Sequence, residues 1–210
     1  YRFKTLQRNW ELLLVANQNI ATRTAIGGLV TPGGSGQVRL RINDNAADAA
    51  GVENSADAAG SLDSSWTPAR TPRYCIPISV NAFRATTTMF FGLRATLGAA
   101  VPTSAEHHAG FIWDGTNFKA QNSVGDCVNI QTTNLATPGA GAQHQLEMIV
   151  FGGVKVEYYV DGALVATHTT VAALPTAALD FQEYEISSGA GGATTSDITL
   201  RAGFLQECPA

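Results

Sequence analysis

The sequence predicts an all-β protein built as a two-sheet antiparallel sandwich. Residues 144–169 (HQLEMIVFGGVKVEYYVDGALVATHT) hold three short apolar runs cut by Gly152-Gly153 and Asp161-Gly162. Within the runs, apolar and polar residues alternate with a period of two, as in a half-buried antiparallel strand. Turn signals recur roughly every 8–12 residues through the rest of the chain. No strand–helix–strand alternation of about 30 residues accompanies them, so a sandwich or barrel is expected and a parallel α/β sheet is not.

The elements follow in order. Tyr1–Ile20 fits a strand at Trp10–Val15 better than a short helix, and residues 1–25 read as an N-terminal arm or edge strand. Residues 26–210 read as one domain. Val38–Ile42 (VRLRI) alternates. Asn43–Ser65 is rich in Ala, Asp, Asn, Gly and Ser, and reads as a long surface loop. Tyr74–Val80 is a strand, and Pro77 within it points to an edge or a bulge. Thr86–Ala95 is rich in β-branched and aromatic residues. His107–Trp113 and Thr116–Gln121 flank Asp114-Gly115, a dipeptide suited to a two-residue type I′ turn. Cys127–Thr132 is a further short run. The meander puts Leu146, Met148 and Val150 on one face, matched by Val154, Val156, Tyr158 and Val160 on the next strand. Ser196–Gln206 repeats the period, with Ile198, Leu200, Ala202 and Phe204 together.

Composition limits the function. The chain has 210 residues, 45% hydrophobic and 14% charged, with net charge -4. About 25% charge is usual, so the surface is rich in Ala, Thr, Gly, Ser and Asn instead. The 13 basic residues are scattered, with no stripe for a phosphate backbone, so no nucleic acid partner is expected. No apolar run approaches the roughly 18 residues of a membrane helix, so no membrane partner is expected either. Tyr1 in place of Met points to an upstream segment. Cys75, Cys127 and Cys208 allow one disulfide and one free thiol, or none; they lack CxxC spacing and His partners, which argues against zinc, and buried free thiols are the simpler reading.

Leu146–Thr167 (LEMIVFGGVKVEYYVDGALVAT) resembles the concanavalin A-like lectin/glucanase superfamily. It is more closely similar to laminin-G-like jelly rolls found in extracellular and phage structural proteins. Ala109–Gln121 (AGFIWDGTNFKAQ) is similar to a hairpin found upstream in such domains. The resemblance covers Thr86–Gln206 and extends more weakly over Ile26–Val80. It implies a two-sheet antiparallel jelly roll. That fold hosts lectins, glycosidases, receptor modules and virion parts, so function rests on sites.

Candidate sites are few. Glycoside hydrolysis needs two carboxyls flanking the bond. The Glu-x-Asp-x-Glu strand motif of related glucanases is absent. Asp180, Glu183 and Glu185 come nearest, in the wrong order, and Glu183 and Glu185 read as a solvated strand face. No G-x-S-x-G elbow marks a nucleophile. His107 and His108 open a strand and point to opposite faces, so they do not chelate one metal. His144 and His168 fall on the meander, where a polar contact between strand ends would need further partners to make a site. Calcium, a cofactor of several relatives, needs six to eight oxygen ligands, roughly. Asp44, Asn45, Asp48, Glu53 and Asp57 crowd the long loop, and Asp126 lies in a separate turn, without EF-hand spacing. Asp114 and Asp161 read as turn formers. Among the three tryptophans, Trp66 (in SSWTPAR) and Trp113 (before a hairpin turn) suit a sugar platform or a protein interface.

The sequence therefore favours a non-enzymatic structural or binding protein. The first expectation is a virion component, a phage capsid decoration or tail-associated protein, partnered by other virion proteins or copies of itself. The second is a secreted, extracellular carbohydrate-binding or adhesion module with a cell-surface glycan as partner. A glycoside hydrolase is third. Trp66, Trp113, Asn45 and Asp48 are the ligand or interface candidates. No catalytic or metal-ligating residue is assigned, and no cofactor, with calcium as the alternative.

Overall fold

A computed structural model of the chain describes residues 4–7, 21–24, 29–33, 37–42, 46–54, 68–95, 101–176, 182–190, 196–201 and 204–207, with side chains in 37–42, 50–51, 68–95, 101–176 and 197–200. The described strands are β1 (Lys4–Gln7), β2 (Ala21–Thr24), β3 (Leu29–Gly33), β4 (Gln37–Ile42), β5 (Ala46–Asn54), β6 (Arg73–Val80), β7 (Thr87–Arg94) and β8 (His107–Trp113). They continue with β9 (Phe118–Val124), β10 (Ile130–Leu135), β11 (Gln143–Phe151), β12 (Lys155–Val160), β13 (Ala163–His168), β14 (Gln182–Ala190), β15 (Ser196–Arg201) and β16 (Phe204–Glu207). One sheet runs β13-β12-β11-β6-β15-β4-β3, with β16 also on β6 and β1 on β16. The other runs β10-β9-β8-β7-β14-β5-β2. Every pairing is antiparallel, and the expected two-sheet β-sandwich is the fold.

The core lies between the sheets and follows the period of two. Val38, Leu40 and Ile42 of β4, Ile76, Ile78 and Val80 of β6, and Leu146, Met148 and Val150 of β11 are buried from one side. Met89, Phe91 and Leu93 of β7 and Phe111 of β8 meet them from the other. Phe111 stacks on Phe118 at 5.9 Å and meets Tyr158 edge-on at 5.4 Å. Each such large apolar or aromatic side chain contributes about 1.5–3 kcal/mol on burial.

The turns depart from expectation where tertiary contacts intervene. Asp161 (φ 52) and Gly162 (φ 79) form the expected two-residue turn, with both residues left-handed. The β8–β9 turn spans four residues instead, since Trp113 pairs with Phe118. Asp114 Oδ1 there accepts the amides of Thr116 and Asn117 at 2.9 and 2.8 Å. The β11–β12 turn takes in Val154 as well as Gly152-Gly153, because Phe151 pairs with Lys155. Val154 is thus 64% exposed rather than a core residue.

Three further expectations are corrected. Residues 46–54, inside the stretch read as a loop, form β5. Its sequence AADAAGVEN has little β propensity, but β14 and β2 pair it on either side, and pairing overrides propensity. Pro77 sits in the interior strand β6 rather than at an edge. One flank of β6 is shared end to end by β15, on Ile78–Val80, and β16, on Arg73–Cys75, and Pro77 falls between the two ladders. For the same reason Ser196–Gln206 is two strands, each with its own outer neighbour, β4 or β1. Cys75 is buried, Cys127 is exposed in the β9–β10 turn at φ 66, and Cys208 lies outside the described residues. Among the described residues no helix is long and apolar enough to cross a membrane.

Candidate functional site

Alternation on three neighbouring strands builds a polar surface on the first sheet. With Val38, Leu40 and Ile42 turned inward, Gln37, Arg39 and Arg41 of β4 turn outward. On β15, Ile198 and Leu200 are core, so Asp197 and Thr199 turn outward. On β6, Ser79 does the same between Ile78 and Val80. The register sets Arg39 beside Thr199 and Thr199 beside Ser79, and Arg41 beside Asp197. Asn81 extends the second row: its amide donates to the Asp197 carbonyl at 3.0 Å, and its side-chain oxygen accepts the Asp197 amide at 2.9 Å. Gly141, from the β10–β11 loop, closes one side, its amide donating to the Val80 carbonyl at 2.7 Å.

Together Gln37, Arg39, Ser79, Asn81, Gly141, Asp197 and Thr199 line an open depression of about 370 Å³. Among the described residues no aromatic ring lines it. Its lining is amide, hydroxyl and guanidinium around one carboxylate. Asp197 Oδ2 accepts from Arg39 Nη2 at 2.6 Å, and Oδ1 from Arg41 Nε at 2.8 Å. Burial raises the Asp197 pKa, but the hydrogen bonds and charges of Arg41 and Arg39 more than reverse that, and the carboxyl is held below its ordinary value. Asp197 is therefore ionised at neutral pH, and two guanidiniums share its single charge.

A second polar cluster is buried in the second sheet. Across the second sheet, Arg94 pairs with Glu106, His108 Nδ1 meets the Glu106 carbonyl at 2.8 Å, and His108 Nε2 meets Gln121 at 3.0 Å. Burial lowers the His108 pKa to about 4. His107 is half-buried on the opposite face, as strand alternation requires. His168 contacts Asn122 and Thr133 inside the sandwich, while His144 Nδ1 contacts Asp161 Oδ2 at 2.7 Å, so the two histidines do not meet each other.

The residues favoured by sequence do not converge on one place. Trp113, expected as a ligand or interface candidate, is a core residue. It is 6% exposed, its indole donates to the Arg84 carbonyl at 2.8 Å, and Phe83 packs on it edge-on at 5.2 Å. The second sheet turns that position inward, with Phe111. Asp48 lies in β5, at a position whose side chain is outside the described set. Trp66 and Asn45 lie outside the described residues, as do Asp44 and Asp57. Among the described residues no three of His, Cys, Asp and Glu come together as metal ligands. Asp126, one of the acids considered for calcium, is committed to the amides of Val128 and Asn129 at 2.9 and 2.6 Å. The other described carboxylates are also engaged: Glu106 by Arg94, Asp114 by Lys119, Glu147 by Arg73, Glu157 by Lys155 and Asp161 by His144. Glu183 and Glu185 stand opposite Leu93 and Phe91 in β7. Sequence reasoning missed Arg39, Asn81, Asp197 and Thr199. Alternation in VRLRI did signal outward arginines, but nothing local announced that residues 197 and 199 would lie beside them.

No protein-family model matches this chain, and no curated protein matches it. Solved structures do. A protein of unknown function from Shewanella oneidensis is similar at TM-score 0.65 and 12% identity, over 99% of this chain and 86% of that one. The Crh5 transglycosylase, solved with NAG, is similar at TM-score 0.63 and 13% identity, over 99% and 84%. The Emp46p carbohydrate recognition domain, in a potassium-bound form, is similar at TM-score 0.63 and 8% identity, over 96% and 95%. At these identities the likeness is one of fold, the β-sandwich that a lectin domain and a transglycosylase share.

Proposed function

We propose that this chain is a non-enzymatic carbohydrate-binding module. The observation that carries the proposal is the depression at Gln37, Arg39, Ser79, Asn81, Asp197 and Thr199. Its amide and hydroxyl groups suit sugar hydroxyls, and the strands beneath hold them in fixed positions. The fold is one in which a carbohydrate recognition domain occurs. Among the described lining residues Asp197 is the single acid, and it is spent on two arginines, which supports binding over cleavage. Such a module works outside the cell or on a virion surface, with a cell-surface glycan as partner and no cofactor. NMR titration of the whole chain with a panel of oligosaccharides tests this. Binding should perturb the amides of Arg39, Asn81 and Thr199. Saturable binding that leaves those amides unmoved, or no binding at millimolar sugar, defeats it. Release of reducing ends from a polysaccharide defeats the non-enzymatic part.

One observation favours the second reading, docking among copies as a virion component. The terminal strand β10 (IQTTNL) carries no charge, no proline and no register shift. The terminal strands β2, β3 and β13 carry Arg23, Pro32 and a register shift, respectively. An edge without such guards is open to pairing with another strand, and Ile130 at its start and Val128 just before it are 39% and 76% exposed. A discrete assembly in light scattering that Thr132→Lys disperses supports it; a monodisperse monomer overturns it.

A further inference from the structure

We infer that the saccharide recognised by the depression is acidic, and that Arg39 binds its carboxylate. This rests on the carbohydrate-binding reading and names the ligand class. The charge balance is the first ground. Arg39 and Arg41 both donate to Asp197, so two positive charges stand against one negative at this place in the first sheet. Asp197 is the single acid among the lining residues, and both of its oxygens already accept arginine donors. Among the described residues the site therefore keeps a surplus positive charge after its internal pairing.

Geometry is the second ground. Arg39 lines the depression while Arg41 does not. The Arg39 side chain is 44% exposed, and its bond to Asp197 comes from one terminal nitrogen, Nη2. A guanidinium has five N–H donors in a planar fork, so donors remain for a ligand. Asp197 fixes the orientation of that fork, which lowers the ordering cost on binding. The planar fork matches a carboxylate, which it can grip with two parallel hydrogen bonds. Around it, Gln37, Ser79, Asn81 and Thr199 offer neutral donors and acceptors of the kind a sugar ring needs. A volume of about 370 Å³ is at the small end for a ligand site and suits a terminal sugar unit.

Isothermal titration of the whole chain against matched pairs tests this: sialyllactose against lactose, and a galacturonate oligomer against its carboxyl-reduced neutral form. The acidic member should bind about tenfold tighter, the scale of one charge-assisted hydrogen-bond set. Arg39→Gln should bring the acidic member down to the neutral member's affinity, and Arg70→Gln, on an exposed turn, should leave the preference intact. Circular dichroism of each variant shows that the fold survives. Equal affinity for acidic and neutral members overturns the inference and leaves carbohydrate binding standing. A preference that persists in Arg39→Gln overturns the assignment to Arg39. Acetate binding as tightly as the sugar acids shows a bare anion site and overturns it too. If neither member of any pair binds, the carbohydrate reading falls, and the inference with it.

Discussion

Arg39 Nη2 lies 2.6 Å from Asp197 Oδ2, across 158 residues of sequence. The contact ties β4 to β15 on the outer face of the first sheet, and Arg41 completes it from the same strand. Asp197 is ionised in the folded state at a pH where it would be partly protonated in the unfolded chain. A carboxyl with a lowered folded pKa contributes stability above its unfolded value near 3.9 and loses it as pH falls through the folded value. Asp197→Asn should therefore cost about 1 kcal/mol at neutral pH, the modest size expected with half-exposed arginines. It should cost progressively less below about pH 4. Urea unfolding at several pH values checks both.

The buried histidines act in the same sense, over a higher pH window. His108 and His168 both have pKa values lowered to about 4, chiefly by burial. In the unfolded chain each titrates near 6.5. Between those values the unfolded state binds protons that the folded state does not, so stability rises with pH across that window. Melting temperature should fall steadily as pH drops from about 6.5 toward 4. His168→Gln should flatten the slope, and a slope unchanged in that variant and in His108→Gln would count against the assignment. A neutral His108 that donates from Nδ1 to the Glu106 carbonyl needs the Gln121 amide nitrogen turned toward Nε2, a geometry that nitrogen chemical shifts can check.

Gly92 pairs with Gly110 at the centre of the second sheet. A Cβ on Gly92 would sit 2.4 Å from the Ala109 carbonyl oxygen, and one on Gly110 would sit 2.6 Å from the Phe90 ring. The obstruction at Gly92 is backbone and cannot swing aside. Gly92→Ala should destabilise by about 1–3 kcal/mol through overpacking. Gly141, open on every side but at φ 77, should instead tolerate Asn, the side chain best suited to that backbone. Denaturant midpoints of the two variants should separate clearly.

Tyr158 is fully buried, and its hydroxyl donates to the Gln121 carbonyl at 2.9 Å. Burial holds its pKa well above the ordinary value. Tyr158→Phe should cost about 1–3 kcal/mol, because it leaves that carbonyl buried without its donor. Its ring contact with Phe111 should survive. Calorimetric melting reads the loss.

Trp113 should matter for stability and not for ligand. Trp113→Phe removes the hydrogen bond to the Arg84 carbonyl and should cost about 1 kcal/mol. Oligosaccharide titrations should match those of the parent chain. A lost saccharide affinity with an unchanged melting temperature would return Trp113 to the ligand site.

Legibility differed between fold and site for a physical reason. Leu146, Met148 and Val150 announced their face because strand alternation is written in consecutive residues. Asp161-Gly162 announced its turn because both positions need left-handed backbone, which that dipeptide tolerates. Trp113 misled because its place beside a turn says nothing about the sheet that covers it. Ala46–Asn54 misled because its pairing comes from strands far away in sequence.

The sequence by itself determined the all-β class, most strands of the second half and the meander with its Asp161-Gly162 turn. These depend on period and turn chemistry, which are local. Only the tertiary structure decided that β5 is a strand, that β15 and β16 part along β6, and that Arg39, Arg41, Asn81 and Asp197 meet. Those outcomes depend on which strands become neighbours in a sheet. That choice is made by burying the core as a whole, and no local stretch of sequence records it.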